Sequence, residues 1–463
     1  MSKIIKYFKT HGIGLGLTAG SVILVSILHL FGTFDFLELK LYDYRFHSVR
    51  GPLTGWRASD SSYINLGTDI VLVEVDDEAY RLMPEAWPYP RGTIWAKVVQ
   101  NLSKAGAKVI AFDIQFDAPE TKSDYLHQFA DEVKSEKLRE LIPRHGDEVF
   151  GEAIADAIAH GTKIVMDTKM VTEANRIPPQ YIARPVEAIM QANPETGLIN
   201  DLMDEDGFSR KYALGNYLQQ DTLQSNLFLT LALKCVKAFE GLADTVNIRF
   251  DKDRLVWYYG DHVIKSNGIA GDFSVNYYGP ASGYKFQRGS ISLPPWGTFP
   301  RFSLAQIIDT EEVILREPEE DMDWMSQFIP GEMPAWIQEI KDPKDRQEMI
   351  ELMGFGEEFD ITTSPFYNKI VIIGVVVEVF QDYKKTPFYN YFGVSQITPG
   401  METHANAIQT ILHENYLKIF GGRITNILSD VEYGYYKGYF QQFLLISLLS
   451  VIAFFTLTYV TPV

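Results

Sequence analysis

The sequence predicts an α/β fold. A mostly parallel sheet carries helices on both faces plus a hairpin, and the body is held outside the cytoplasm between two flanking transmembrane helices. Three observations predict this. Val- and Ile-rich runs, too apolar for a sheet wetted on one side, alternate with helix-spaced stretches. Two long uncharged runs lie near the two ends of the chain. The remainder of the 463 residues has near-average apolar and charged content, enough to bury a core.

Gly12–Phe34 (GIGLGLTAGSVILVSILHLFGTF) carries no formal charge and, as a helix, crosses roughly 30 Å of hydrocarbon. Lys3, Lys6 and Lys9 precede it without an acid, which places residues 1–11 in the cytoplasm. A cleaved signal peptide is the alternative, but the run exceeds a signal core of about 7–15 residues and no A-x-A site follows, so an uncleaved anchor is expected. The second run, Gln442–Val460, follows the tyrosine-rich EYGYYKGYF, which suits the headgroup layer. Residues 35–436 then lie across the bilayer from both tails, and the expected location is the inner (cytoplasmic) membrane, multi-pass, with the body periplasmic or extracellular. The closeness of Val463 to the second run points to a segment of a longer membrane protein.

Within the body, FLELKLYDYRF keeps helical spacing (Leu37, Leu41, Tyr44) and extends the first membrane helix outward. DIVLVEVDD reads as a strand buried on both faces. The prolines of AWPYPR hold the chain out of helix until after Arg91, where TIWAKVVQNLSKAG begins a helix stopped at Gly106. KVIAFDIQF is a second strand ending at Asp113, DEVFGEAIADAIAHG a helix closed by Gly161, and KIVMDTKM a third strand. This rhythm implies right-handed crossovers. NLFLTLALKCVKAFEG reads as a helix and LVWYYGDHVIK as a hairpin turning at Gly260–Asp261. KIVIIGVVVEV is the most apolar strand, and HANAIQTILHENY a helix leading to the second run. Charged stretches near 124–144 and 310–360 read as insertions in this plan.

A net charge of −18 argues against nucleic acid as a partner, because its phosphates need clustered Lys and Arg. Cys235 is the single cysteine, which excludes an internal disulfide and a cysteine-based zinc site.

Seven segments in order resemble the CHASE domain of the second type, an extracytoplasmic sensory module. They are LYDYRF (Asp43, Arg45), VLVEVDD, WPYPR (Trp87, Pro88, Arg91), GAKVIAFDIQF (Asp113, Phe116), GLINDLMDEDGFSRK (Asn200, Asp206, Gly207, Arg210), NKIVIIGVVVEVFQDYKKTP (Gly374, Asp382, Thr386, Pro387) and TPGMETHANAIQTIL (Pro399, Gly400, His404, Asn406). The resemblance implies the signal-input part of a membrane protein. Such modules precede three membrane helices and a cytoplasmic adenylate or guanylate cyclase, a histidine kinase or a serine/threonine kinase. An adenylate cyclase output would make cAMP biosynthesis the controlled reaction, and such outputs often need two chains, so a homodimer is expected. The insertions depart from the family pattern and fit assembly with a partner.

For ligand binding the candidates are Asp76, Asp77 and Asp113, at the carboxyl ends of what should be adjacent parallel strands, with Arg91 near enough to reach over that edge. They form either a site for a cation or an anionic ligand, or an internal Arg–Asp bridge locking the turn; the bridge is preferred because structural ion pairs also gather at such ends. Aligning Asp204, Asp206 and Gly207 to an EF-hand loop puts Leu202 and Ala213 at its first and twelfth positions. That motif fails, leaving a turn tied by Asn200, Asp206 and Arg210. His404 reads as a hydrogen-bonded core histidine. The Gly374 stretch lacks G-x-G-x-x-G spacing, and G-x-S-x-G, H-E-x-x-H and P-loop patterns are missing, so no metal or cofactor is expected. The tyrosines of VNYYGP and the run SLPPWGTFPRF fit either a pocket or packing. The function expected is sensory input to a cyclase or kinase beyond this chain, driven by an extracytoplasmic ligand or protein partner. The alternative is a scaffold component of a membrane assembly. A hydrolase using the aspartates comes last, because no nucleophile–base pair accompanies them.

Overall fold

The computed structural model describes residues 2–31, 33–52, 69–122, 127, 133–135, 142, 144–221, 223, 226–251, 254, 256–266, 271–282, 287–288, 291–292, 299–330, 337, 340, 342–352, 359–377, 382–393, 395–417 and 434–459. Helix α1 (Ser2–Leu30) contains the apolar stretch His11–Leu28, long enough to cross a membrane. It ends before the expected limit at Phe34, and α2 (Asp35–Tyr44) starts after a turn and runs on in a wider helical turn to Arg50. Among the described residues α1 is the one helix that meets that length. The last helix, Gly434–Tyr459, carries a shorter apolar stretch, Phe443–Thr456.

The central sheet has seven strands: β1 (Ile70–Val75), β2 (Val109–Asp113), β3 (Lys163–Thr172), β4 (Gln180–Ala183), β5 (Glu195–Leu198), β6 (Arg301–Ser303) and β7 (Ile370–Val375). Their order is β6–β1–β7–β2–β3–β4, with β5 also on β3, and every pairing is parallel except β3 with β4. The expectation that β1 and β2 are neighbours is overturned, because β7 lies between them. The run IVIIGV has no charge to keep wet, so it tolerates burial on both faces and both edges.

Strand alternation sorts these runs into two cores. Val71, Val73, Ile110, Phe112, Val371 and Ile373 enter one core. Over it lie α3 (Asp77–Leu82), α4 (Ala96–Lys104) and α5 (Gly146–Ala159). Ile70, Leu72, Val109, Ala111, Ile370 and Ile372 enter the other, under α6 (Leu231–Glu240). Helix α7 (Leu304–Ile308) joins the first face and α8 (Gly400–Leu412) the second. Two glycines set how closely helices approach: a Cβ on Gly374 would lie 2.7 Å from Met401 Sδ, and one on Gly197 would lie 2.6 Å from Leu231 Cα.

The helix expected from NLFLTLALKCVKAFEG begins only at Leu231. Phe228–Leu229 pair instead with Gly215–Asn216, and the Thr230 hydroxyl donates to the carbonyls of Ala213 (3.0 Å) and Leu214 (3.3 Å). The hairpin forms as expected, Val256–Tyr259 against His262–Ile264. The helix expected after Arg91 begins at Arg91 itself, as a wide turn through Trp95 leading into α4. Most of the 124–144 stretch, part of 310–360 and part of SLPPWGTFPRF lie outside the described residues. The start of the later insertion joins the core: Met325 is buried and Trp324 packs on Phe302, ring centroids 5.3 Å apart.

Candidate functional site

The carboxyl ends of β2 and β7 form a switch point, because the next helix after β2 is on one face and the helix after β7 is on the other. Open α/β sheets bind ligands in such a crevice. Here α8 fills it. Asp113 stands opposite Gly374, and His404 presents Nε2 3.7 Å from Asp113 Oδ1 while its Nδ1 pairs with the Tyr212 hydroxyl at 2.6 Å. Burial disfavours the His404 cation, but Asp113, then Asp201 and Asp382, outweigh it and hold its pKa above 6.5.

Asp167 lies two residues past Val165, the partner of Ala111, and so beside Asp113. It is 2% exposed, with no hydrogen bond to its side-chain oxygens among the described residues. Burial, then Asp113 and Asp117, push its pKa well above 3.8. Lys384 bridges Asp201 (2.6 Å) and Asp382 (3.0 Å) nearby. This network sets Asp113, Asp167, Asp201 and Asp382 against Lys384 and His404, and the hydroxyl paired with the His404 imidazole is the buried phenol of Tyr212.

Arg91 does not join the strand-end aspartates. Its guanidinium pairs with Asp147 in the first turn of α5 and donates to Ala118 O at 2.6 Å, and its backbone N–H donates to Glu120 Oε1 at 3.1 Å. The bridge that locks the turn exists, with an acid that sequence proximity did not indicate. Asp76 caps α3 by accepting from Ala79 N (2.9 Å), and it also accepts from the Ser303 hydroxyl (2.7 Å); Asp77 is exposed in the first turn of α3. The proposed grouping of Asp76, Asp77, Arg91 and Asp113 therefore does not assemble, because β7 separates β1 from β2 and desolvated charges take the nearest partner. Trp87 is half-buried against Tyr89, centroids 5.2 Å apart, and Pro88 is exposed beside it.

At the end of β1, Glu74 is buried, with Oε2 2.9 Å from Arg301 Nη2. Glu402, in the first turn of α8, accepts from Ser282 N with both oxygens at 3.0 Å and from its hydroxyl at 2.9 Å. Burial raises Glu74 to about 8 and Glu402 to about 7, each restrained by Arg301. Asn406 ties α8 down, accepting from Tyr278 N at 2.9 Å.

The joint between the body and α2 is Arg210. Its fork meets Asp43 of α2 twice at 2.8 Å, Asp204 at 2.9 Å and Asp206 at 2.8 and 2.9 Å. Asp206 is held below 3.8 chiefly by that hydrogen bonding. Gly207 makes the turn with φ 75°. Asn200, expected in this turn, reaches instead to Met170 N (2.8 Å) and O (3.0 Å) on β3. Arg45 is exposed; Arg50 bonds Asn276 and Tyr277 O, a second clamp on the same helical segment. Asp382 accepts Gly400 N at 2.9 Å through its carbonyl, and Pro387 is buried. Tyr277 is buried and donates to Ser209 Oγ at 3.1 Å, so the tyrosine of VNYYGP is packing.

Sequence reasoning missed Tyr212, Asp147, Asp167, Glu74 and Glu402. A carboxylate in the middle of an otherwise apolar strand, as in VLVEVDD and KIVMDTKM, was the available signal for Glu74 and Asp167. It also missed Asp309, Asp321 and Asp323, whose oxygens lie within 4.8 Å of one another. Asp309 turns its carboxylate to the backbone N–H groups of Met322, Asp323 and Trp324 and shares a hydrogen bond with Asp321, whose Oδ1 has no hydrogen-bond partner among the described residues.

A doubly covered parallel sheet, joined by a buried ion cluster to a helix that follows an apolar helix of membrane-crossing length, defines the class: an α/β domain whose N-terminal helix is compatible with a membrane anchor. The chain belongs to the CHASE2 family; the model for the CHASE2 domain matches residues 20–431, nearly the whole chain. CHASE2 is an extracytoplasmic sensory domain of signalling proteins. No curated protein and no solved structure matches the chain.

Proposed function

We propose that the protein is the signal-input part of a membrane-bound signalling protein, that it governs a cytoplasmic adenylate or guanylate cyclase or a kinase, and that it sits in the inner membrane through two spans. The observation that carries the reading is the Arg210 joint, which makes α2 rigid with the body, so that a change of packing in the body moves the helix nearest the bilayer. The antiparallel contact of the terminal helices supports two spans: Phe454, near the end of the chain, packs edge-on to His11, near its start, centroids 6.4 Å apart. Both tails then lie on one side. Protease added outside intact cells, or to the periplasm, is expected to cut the body while tags on both tails stay protected. A protected body, or an accessible tail, sinks the reading.

The protein acts as a homodimer in this scheme. Gly12, Gly16 and Gly20 recur every fourth residue of α1, exposed, with nothing among the described residues within 4 Å of an added Cβ, a spacing that lets membrane helices approach closely. Gly16→Cys is expected to crosslink in membranes under mild oxidation, since Cys235 is fully buried and does not compete. Monomer alone at that position counts against the dimer.

A further inference from the structure

A cavity of about 240 Å³ lies among β3, β4, β5, residues 227–229 and α6. Three cations line it: Arg184, which follows β4, and Lys234 and Lys237, one turn apart on α6. Lys234 Nζ is 2.8 Å from Glu195 Oε2. Lys237 pairs with Glu195 Oε1 and lies 2.6 Å from Asp244 Oδ1. The Asp244 side chain is 91% exposed, so this carboxylate on Lys237 can swing out into water. Arg184 forms no ion pair among the described residues. Two carboxylates therefore answer three cations, leaving a surplus of positive charge at the mouth.

The inner wall carries a second, independent signal. Tyr259 lines the cavity, is fully buried, and its hydroxyl has no hydrogen-bond partner among the described residues. Such a group costs free energy unless something accepts from it. Burial, then Glu195, raise its pKa, so it remains a protonated donor. Thr168, 5% exposed, adds a hydroxyl to the lining, while Ile182, Leu229 and Val246 supply an apolar side. Small-molecule sites combine such a wall with a few converging polar groups.

We propose that this cavity binds a small monocarboxylate with a short apolar body, its carboxylate replacing Asp244 on Lys237 and reaching Arg184 and the Tyr259 hydroxyl. A carboxylate is favoured over a phosphate because both lysines already hold carboxylates and the surplus is a single charge. As the stimulus of the sensor the ligand rests on the reading above; the binding chemistry does not.

The test is calorimetric titration of the full chain in lipid nanodiscs with butyrate and valerate, with valeramide and inorganic phosphate alongside. Saturable binding of the carboxylates but not of valeramide is expected, weakened about tenfold or more, the equivalent of 1.4 kcal/mol, in both Arg184→Gln and Tyr259→Phe. Tyr259→Phe is expected to keep or raise the melting temperature, since its hydroxyl loses no partner, which separates a binding role from a structural one. No saturable carboxylate binding, equal binding of valeramide, preference for phosphate, or unchanged affinity in both variants overturns the proposal. Failure here leaves the protease topology untouched, whereas a reversed topology with intact binding overturns the sensor alone.

Discussion

Arg210→Met is expected to lower the stability of the body by about 3–5 kcal/mol, the usual cost of removing one partner from a buried ion pair. The Arg210 side chain is 3% exposed and that of Asp43 9%, so removing the guanidinium strands Asp43 with its charge and little solvent. Asp204 and Asp206 keep weaker contacts, to Lys211 at 3.5 Å and Lys40 at 3.7 Å. Arg210→Lys should recover only part of the loss, because an ammonium cannot present two parallel donors to Asp43 while holding Asp204 and Asp206. Adding Asp43→Asn to Arg210→Met should return some stability by neutralising the stranded charge. Urea unfolding followed by tryptophan fluorescence reads all three, and a loss below about 1 kcal/mol in Arg210→Met would mean that water reaches the cluster.

Stability is expected to fall as pH rises from about 5 to 9. Glu74 and Glu402 have folded pKa values of about 8 and about 7 against an ordinary 4.5. Between those limits the folded protein keeps protons that the unfolded chain has lost. Their contribution is therefore greatest near pH 5 and disappears as pH rises through 7 and then 8. His404, raised above 6.5, acts with the same sign: its contribution is full below the unfolded value and is lost as pH rises through the folded one. Asp206 and Glu195, both lowered, act oppositely and only at the acid end, being lost as pH falls below the ordinary carboxylate range. A folded pKa that lies one pH unit above the unfolded one is worth about 1.4 kcal/mol, so the two glutamates together give a loss of several kcal/mol by pH 9. Melting temperatures across this range should decline and flatten in the Glu74→Gln, Glu402→Gln double variant. A wild-type profile that is level or rising from pH 5.5 to 8.5 would falsify the assignment.

The two effects lie on different links of the chain from sequence to function. Arg210 is the mechanical tie between body and α2, legible early as part of an ordered motif. The glutamates sit beside the central strand, and nothing local marks them as a pair: Glu74 and Glu402 meet only because β1 and α8 pack on the same face. Cavity and charge at Tyr259 and Lys237 were likewise invisible, since the hairpin and α6 are brought together by the sheet.

By itself the sequence determined the elements and their class. Continuous apolar runs became strands buried on both faces, helical spacing became helices, and Gly106 and Gly161 closed them with φ of 83° and 99°. It determined as well that His404 would be a core histidine. Only the tertiary structure decided strand order and charge partners. It inserted β7 between β1 and β2, gave Arg91 to Asp147 and Asp113 to His404, and carried Asn200 to β3. The physical reason is range: periodicity and turn chemistry act over a few residues, whereas a buried charge is satisfied by whichever opposite group the packed sheet brings within reach.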